Sequence, residues 1–181
     1  MHDTPSTIYR DRVPRDWPLV SLMFLDIDGP CNCIRTSPNG VKPHHPGMFA
    51  DQMVGVDRLL IPHINRLSTA PHVLTVISSS WRNAHGLEQT EDTLHRAGWQ
   101  GLLVGGTGIA QRRCLEISRF LAEWAADPSL PRVVSYVIVD DDESMGDLTD
   151  HLVNIHPLNG INDHDVVRAL AMLFPSDIVP P

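Results

Sequence analysis

Polar side chains that could do chemistry follow three apolar segments of this sequence. They are Asp26 and Asp28 after LVSLMFL, Ser78 and Ser79 after HVLTVI, and Asp140 and Asp141 after RVVSYVIV. Carboxylates that share one crevice repel each other unless a cation neutralises them, and an oxygen-rich ligand set suits Mg²⁺. In such sites Mg²⁺ usually shares its coordination with a substrate phosphate. The spacing therefore predicts a magnesium-dependent phosphoryl-transfer site.

The first pair of aspartates can divide the chemistry between its two members. Asp26 ends a buried strand, so it is held rigidly and can serve as both metal ligand and nucleophile. Asp28 lies just past the strand, where it can turn toward a leaving group as a general acid and later toward water as a general base. The hydroxyls and backbone amides of SSSWR, residues 78–82, add hydrogen-bond donors for a phosphate.

Arginine must supply the positive charge of this site. The only lysine of the chain, Lys42, lies between the first two predicted strands and away from the polar groups. Arg112 and Arg113 open a predicted helix after GGTGIAQ, and a cation there would stabilise the transferring phosphoryl group. The choice between these two arginines stays open. Arg82, at the end of SSSWR, could equally bind a phosphate or form an ion pair with a surface carboxylate.

Strands and helices alternate along the chain, which predicts an α/β domain with a mostly parallel sheet. Apolar runs predict strands at 19–26, 72–78 and 132–142, with shorter ones at 101–106 and 151–155. Helical spacing predicts helices from Val56 to Leu67 with a kink or restart at Pro62, at about 86–97 ending at Gly98, at 111–126, and from Val166 to Phe174 after an N-cap at Asn162. Parallel sheets bind ligands beyond the carboxyl ends of their strands, where the polar groups lie.

Composition limits the class of protein and its partners. With 181 residues and 42% hydrophobic composition, the chain fits one catalytic domain at 19–175, between an extension at 1–18 and a tail at 176–181. The net charge of −8 opposes a stable nucleic-acid partner unless a local basic patch overrides it. The chain shows no secretory signal and no run of eighteen apolar residues, so we expect a cytoplasmic protein without membrane contact. Three cysteines make no disulfide framework.

Four motifs together point to a known superfamily. FLDIDG, VISSS, a basic residue opening a helix, and VIVDDD resemble, in this order, the haloacid dehalogenase-like (HAD) hydrolases. SSSWR, RCLEI, VIVDDD and NGIND are similar, more narrowly, to the small HAD domains associated with RNA-repair proteins. The resemblance implies a three-layer Rossmann-like fold and a Mg²⁺-dependent phosphomonoester hydrolase acting through an aspartyl-phosphate. It implies a phosphorylated substrate, either a polynucleotide end, a nucleotide or another small phosphomonoester.

The resemblance also implies a role for each motif residue. Asp26 matches the nucleophile, and Asp28 matches the acid and base, whose backbone carbonyl also binds Mg²⁺. Asp140 and Asp141 match the acidic pair that holds the metal together with Asp26. The residue matching the phosphate-binding serine or threonine is Ser78, and further phosphate-binding candidates are Ser79, Arg82 and Arg112. Arg113 best matches the cation of the third motif, because Glu116 and Ile117 follow it at the spacing of this branch.

The space for a cap domain is small. Only a short segment separates Asp28 from the helix near Asp57, and a helix, a short strand and a loop account for residues 81–113. We therefore expect a capless or minimally capped, open site, with a flap at 30–50 that sets specificity. Two alternatives remain, a non-catalytic HAD-like binding module and a phosphotransferase to an acceptor other than water. Trp81, Trp99 and Trp124 are interpreted as packing residues rather than base-stacking platforms.

Overall fold

The computed structural model describes residues 3–34 and 56–175, and every structural statement below refers to these ranges. Its strands are β1 (Thr7–Ile8), β2 (Leu19–Leu25), β3 (Val73–Ile77), β4 (Leu103–Gly106), β5 (Arg132–Asp140) and β6 (Leu152–Asn154). Its helices are α1 (Ile61–Ser68), α2 (Trp81–Ala84), α3 (Leu87–Ala97), α4 (Arg113–Ala125) and α5 (Asp163–Leu173). Two short 3₁₀ helices span Arg10–Arg12 and Gly146–His151.

The six strands form one sheet in the order β1-β4-β3-β2-β5-β6. Every neighbouring pair is parallel except β1 with β4. From the central strand β2 the chain moves outward through β3 and β4, and later returns on the other side through β5 and β6. A change of direction of this kind opens a crevice beside the carboxyl end of the central strand. The predicted α/β class and Rossmann-like, mostly parallel sheet are confirmed.

The sheet separates two apolar cores, which gives the domain three layers. Along β2 the side chains alternate, so that Met23 and Leu25 enter one core while Leu22 and Phe24 enter the other. Buried residues of α1, α3 and α5 complete the first core, and those of α4 complete the second. A strand buried on both faces reads as a continuous apolar run, which is why β2, β3 and the buried second half of β5 were predictable from the sequence.

Helix boundaries follow local signals. Gly98, with a φ of 103°, caps α3 in the left-handed conformation that glycine adopts without a steric penalty. Asn162 and Asp165 form a complete capping box at the start of α5. The helix predicted from Val56 begins only at Ile61, with Pro62 in its first turn. Proline is tolerated there because a first-turn N–H has no partner within the helix.

The N-terminal segment is part of the sheet, which its composition did not predict. Thr7 and Ile8 pair with Gly106 and Gly105 as an antiparallel edge. Nearby, the backbone N–H of Thr4 donates to the carbonyl of Ile109 at 3.2 Å. A Cβ at Gly108 would lie 2.1 Å from the carbonyl oxygen of Thr4, so only glycine permits this approach. The segment therefore braces the loop between β4 and α4.

Between Trp81 and Arg113 the structure contains only α2, α3, β4 and their connections, so this segment carries no cap domain. Most of the predicted flap, 35–50, and the predicted tail, 176–181, lie outside the described residues. Trp81, Trp99 and Trp124 are all buried, as expected of packing residues. No helix in the described ranges is both long and apolar enough to cross a bilayer.

Candidate active site

The carboxyl ends of β2, β3 and β5 meet at one point of the sheet. Just beyond β2, the backbone N–H of Asp26 donates to the carbonyl of Val139 in β5 at 3.0 Å. On the other side, the N–H of Ser78 donates to the carbonyl of Leu25 at 3.0 Å. These bonds continue the strand pairing to the residues that carry the functional side chains. The predicted polar groups are thereby brought together on a rigid base.

Three carboxylates form a cluster that could hold a metal ion. One oxygen each of Asp26, Asp140 and Asp141 lies within 4.8 Å of the others. Asp26 and Asp140 are buried, and Asp141 is half-buried. Oδ2 of Asp140 is buried and accepts no hydrogen bond from the described residues. Buried carboxylate oxygens that converge without enough donors fit a hard divalent cation such as Mg²⁺.

Crowding of these acids shows in their pKa values. Burial, aided by the negative charge of Asp26, raises the pKa of Asp140 to about 8. Burial also raises the pKa of Asp26, against the opposing charge of Arg113 and a hydrogen bond from Ser79. Each shift reports the cost of placing a carboxylate where water and balancing charge are scarce. A bound divalent cation would remove that cost.

Arg113 supplies the positive charge that faces the cluster. Its Nη2 lies 3.7 Å from Oδ1 of Asp26, and its Nε lies 3.5 Å from Oδ2 of Asp140. Burial acts to lower its pKa, but Asp26 and Asp140 outweigh this effect and raise it, so the guanidinium stays charged. Arg112, the preceding residue, is exposed and makes no ion pair with the described residues. Of the two candidates that the sequence left open, Arg113 is the one placed at the acids.

Arg82 is buried next to the site, and its guanidinium hydrogen-bonds to acceptors of the protein itself. Its guanidinium donates to the carbonyls of Thr107 at 2.6 Å and Gly108 at 2.8 Å, to the carbonyl of Ser79, and to Oε2 of Glu116 at 2.7 Å. Its side chain is 4% exposed and that of Glu116 is 10% exposed. The partner of Arg82 is thus a buried carboxylate rather than the surface one that the sequence suggested. These bonds direct it to the loop between β4 and α4.

Glu116 links that pair to Arg113. Its Oε1 accepts a hydrogen bond from the backbone N–H of Ala110 at 3.1 Å, while its Oε2 lies 3.9 Å from Nη1 of Arg113. One turn of α4 therefore presents Arg113 to the acids and anchors the preceding loop through Glu116. The RCLEI segment encodes both functions, since residues three apart share one face of a helix.

The serines after β3 divide into two environments. Ser78 is fully buried, and its Oγ has no hydrogen-bond partner among the described residues. The side chain of Ser79 interacts with Asp26 and acts to lower the pKa of that carboxyl, and Oγ of Ser79 accepts, at 3.4 Å, from the backbone N–H of Trp81. Ser79 is therefore the serine in contact with the predicted nucleophile. The phosphate-binding roles of both serines stay predictions.

Asp28 is held by two side-chain donors. Its Oδ1 accepts from Nδ2 of Asn32 at 2.9 Å and from Nε1 of Trp81 at 3.0 Å. A turn over residues 27–32 makes the first contact possible, because the N–H of Cys31 donates to the carbonyl of Ile27 at 2.9 Å. Gly29 adopts a φ of 95° within this turn, and a Cβ there would lie 2.7 Å from Cγ of Asp141. The turn therefore sets Asp28 and leaves room for Asp141.

A shallow cavity opens beside the acids. Its volume is about 270 Å³, and its lining consists of Ala110, Gln111, Arg112, Arg113, Glu116, Asp142 and Ser144. The exposed guanidinium of Arg112 thus stands next to the site rather than within the acidic cluster. The cavity is the space adjacent to Arg113 that a bound molecule could enter.

Sequence reasoning missed the part that Trp81 plays at Asp28. Its indole was interpreted as packing, and it does pack in the core, but it also donates to a carboxylate 53 positions earlier. The signal available was its position three residues after Ser78, at the same sheet edge as the aspartates. The contact with Asp28 could not be predicted from that position, because the direction of a side chain at the start of a helix depends on how the helix packs in the fold.

The fold and the site define a small HAD-like domain, with aspartates beyond the central strand and an arginine on the helix that follows β4. The model of the family described as "HAD domain in Swiss Army Knife RNA repair proteins" matches residues 22–166. The chain belongs to this family. At the superfamily level this places it with HAD-type hydrolases and phosphatases. Searches of curated proteins and of solved structures gave no match.

Proposed function

We propose that this protein is a Mg²⁺-dependent phosphomonoester hydrolase that acts through an aspartyl-phosphate on Asp26. The observation that carries the proposal is the convergence of three acidic residues and Arg113 at the neighbouring ends of β2 and β5, with Asp28 held beside them. A binding module would need the metal cluster but would have no use for a second, separately positioned carboxyl. Membership of the HAD family supports the same chemistry.

The residues divide the reaction into two steps. A carboxylate oxygen of Asp26 attacks phosphorus and forms an O–P bond, while the bond to the leaving oxygen breaks and Asp28 gives that oxygen a proton. Asp28, now a carboxylate, then takes a proton from water as the water oxygen attacks phosphorus. The aspartyl O–P bond breaks, which restores both carboxyl groups and releases phosphate. Arg113, near Asp26 and Asp140, balances charge on the phosphoryl oxygens.

Asp26, Asp140 and Asp141, with the backbone carbonyl of Asp28, would hold the metal ion. When bound, Mg²⁺ neutralises and orients the phosphoryl oxygens. Arg82 hydrogen-bonds Glu116, which in turn lies next to Arg113, so we assign Arg82 a positioning role rather than a contact with phosphate. Ser79, through its contact with Asp26, is the better placed serine for a phosphate oxygen.

We propose a phosphorylated nucleic-acid end as the substrate. The description of the matched family refers to RNA repair, and the segment between Trp81 and Arg113 adds no cap over the site. Exposed Arg112 beside the 270 Å³ cavity is suited to a neighbouring phosphodiester of a chain. The net charge of −8 works against tight binding of a long polyanion, so contact would be confined to the end itself.

The test is phosphate release from 3′- and 5′-phosphorylated oligonucleotides, mononucleotides, phosphosugars and an aryl phosphate, with Mg²⁺ or EDTA. Asp26→Asn should abolish Mg²⁺-dependent release, and Asp92→Asn, at an exposed ion pair of α3, should not change it. With the aryl ester, Asp28→Asn should accumulate one phosphoryl group on the peptide that contains Asp26. Full activity of Asp26→Asn would refute the mechanism. A preference for mononucleotides or sugars, without salt dependence, would refute the substrate class.

A further inference from the structure

Asp28, the predicted acid and base, accepts hydrogen bonds from two buried donors on the same oxygen. Nε1 of Trp81 and Nδ2 of Asn32 lie 3.0 Å and 2.9 Å from Oδ1 of Asp28. The exposed fractions of Trp81, Asn32 and Asp28 are 7%, 3% and 2%. Hydrogen bonds this well shielded from water have few competitors, so they constrain the carboxyl strongly.

Two donors on one oxygen restrain the whole carboxyl group. The terminal torsion of an aspartate is broad and roughly two-fold, so an unrestrained carboxyl exchanges its two oxygens readily. An N–H group can only donate, and Oδ1 accepts from two of them. The two hydrogen bonds therefore fix the plane and the orientation of the carboxyl.

We propose that Trp81 and Asn32 are positioning residues that hold the carboxyl of Asp28 in the orientation required for proton transfer in the reaction. This inference rests on the proposed phosphatase function. In the first step the O–H bond of the Asp28 carboxyl breaks, and its proton goes to the leaving oxygen as the P–O bond to that oxygen breaks. In the second step the Asp28 carboxylate takes a proton from the attacking water, which restores the O–H bond. Both donors stay on Oδ1 throughout.

One short segment then sets both predicted catalytic carboxyls. The hydroxyl of Ser79 contacts Asp26, and the indole of Trp81, two residues later, contacts Asp28. The backbone N–H of Trp81 also donates to Oγ of Ser79 at 3.4 Å, which ties the two contacts together. The start of α2 thus fixes the relative position of the nucleophile and the proton donor, a distance on which rate depends steeply.

The experiment compares leaving groups that need a proton with one that does not. An alkyl phosphate expels a basic alkoxide and requires the acid, whereas nitrophenyl phosphate expels a stable anion. General acid catalysis contributes about 10²- to 10⁴-fold, so loss of its positioning should cost part of this. We expect Trp81→Phe to lower kcat for a nucleoside monophosphate roughly 10- to 100-fold, with little change in KM. The kcat for nitrophenyl phosphate should fall by less than about threefold.

Two further variants complete the design. Asn32→Leu removes the other donor at similar volume and should show the same selective loss. Trp124→Phe is the matched control, since the indole of Trp124 donates to the carbonyl of Pro131 at 2.9 Å in the other core. It removes a buried indole hydrogen bond that does not involve Asp28, so any loss it causes should be equal for both esters. Melting temperatures of all variants report their folding.

The outcomes distinguish the positioning role of Trp81 and Asn32 from the proposed phosphatase function. Selective loss with the alkyl ester supports the inference. Equal loss with both esters, or no loss with either, overturns it and leaves Trp81 as a packing residue, while the proposed function stands. If the wild-type protein hydrolyses neither these esters nor a phosphorylated oligonucleotide in Mg²⁺, the proposed function fails and this inference fails with it.

Discussion

Removal of the Arg82 guanidinium should destabilise the domain strongly, because this group is buried and hydrogen-bonds to four protein acceptors. Arg82→Met keeps most of the aliphatic volume but deletes four contacts, to the carbonyls of Ser79, Thr107 and Gly108 and to the carboxylate of Glu116. Burial lowers the pKa of Arg82 although Glu116 opposes this, so the charge is held at some desolvation cost. After the substitution Glu116 would remain buried without its nearest cation.

The magnitude follows from the burial of the pair. The two side chains are 4% and 10% exposed, and removal of one partner of a buried pair costs about 3–5 kcal/mol. For a domain of this size, 1 kcal/mol shifts the melting temperature by about 2–4 °C. We therefore expect Arg82→Met to lower the melting temperature by roughly 6–20 °C. The double variant Arg82→Met, Glu116→Met should recover part of this loss, since no unpaired charge then remains buried.

The assay is thermal unfolding followed by circular dichroism in EDTA. Arg96→Met is the matched control, because Arg96 pairs with Asp92 at an exposed site where the side chains are 78% and 53% exposed. It should leave the melting temperature almost unchanged. A melting temperature of Arg82→Met equal to that of the control would refute the reasoning. A raised KM with unchanged stability would instead indicate that Arg82 contacts the substrate phosphate.

Two further predictions concern the metal cluster. The pKa of Asp140, raised by burial and by Asp26 to about 8, exceeds its ordinary value of 3.8, so the metal-free folded state binds more protons than the unfolded state between these values. The melting temperature of the metal-free protein, measured in EDTA, should therefore fall between about pH 5 and pH 8. It should fall less in Asp140→Asn, which should also lose the stabilisation by Mg²⁺. Equal slopes of melting temperature against pH in the two proteins would contradict the role of Asp140. Gly29→Ala places a Cβ 2.7 Å from Cγ of Asp141 and should abolish the Mg²⁺-induced rise in melting temperature. Gly86→Ala, at a φ of 81° with open space around it, should lose some stability but keep that rise, and a full rise in Gly29→Ala would contradict the steric argument.

Features with a local cause were predictable from the sequence. β2, β3 and the second half of β5 are buried on both faces, so their apolar runs were visible, and the aspartates and serines at their ends followed from position alone. The capping box at Asn162 and the glycine stop at Gly98 depend on a few neighbouring residues. The HAD resemblance rested on these same short segments, and the family comparison confirmed it.

Features that depend on distant partners were decided only by the tertiary structure. The strand at Thr7 exists because β4 offers an edge to pair with, and nothing in its own composition requires it. The residues alone did not separate Arg112 from Arg113, although the family resemblance favoured Arg113, and it is the orientation of α4 that turns Arg113 toward Asp26. Trp81 meets Asp28 across 53 positions of chain. The sequence by itself determined which chemical groups stand at the strand ends, while packing decided which atoms face each other, because a side chain's partner depends on where its helix or strand is placed.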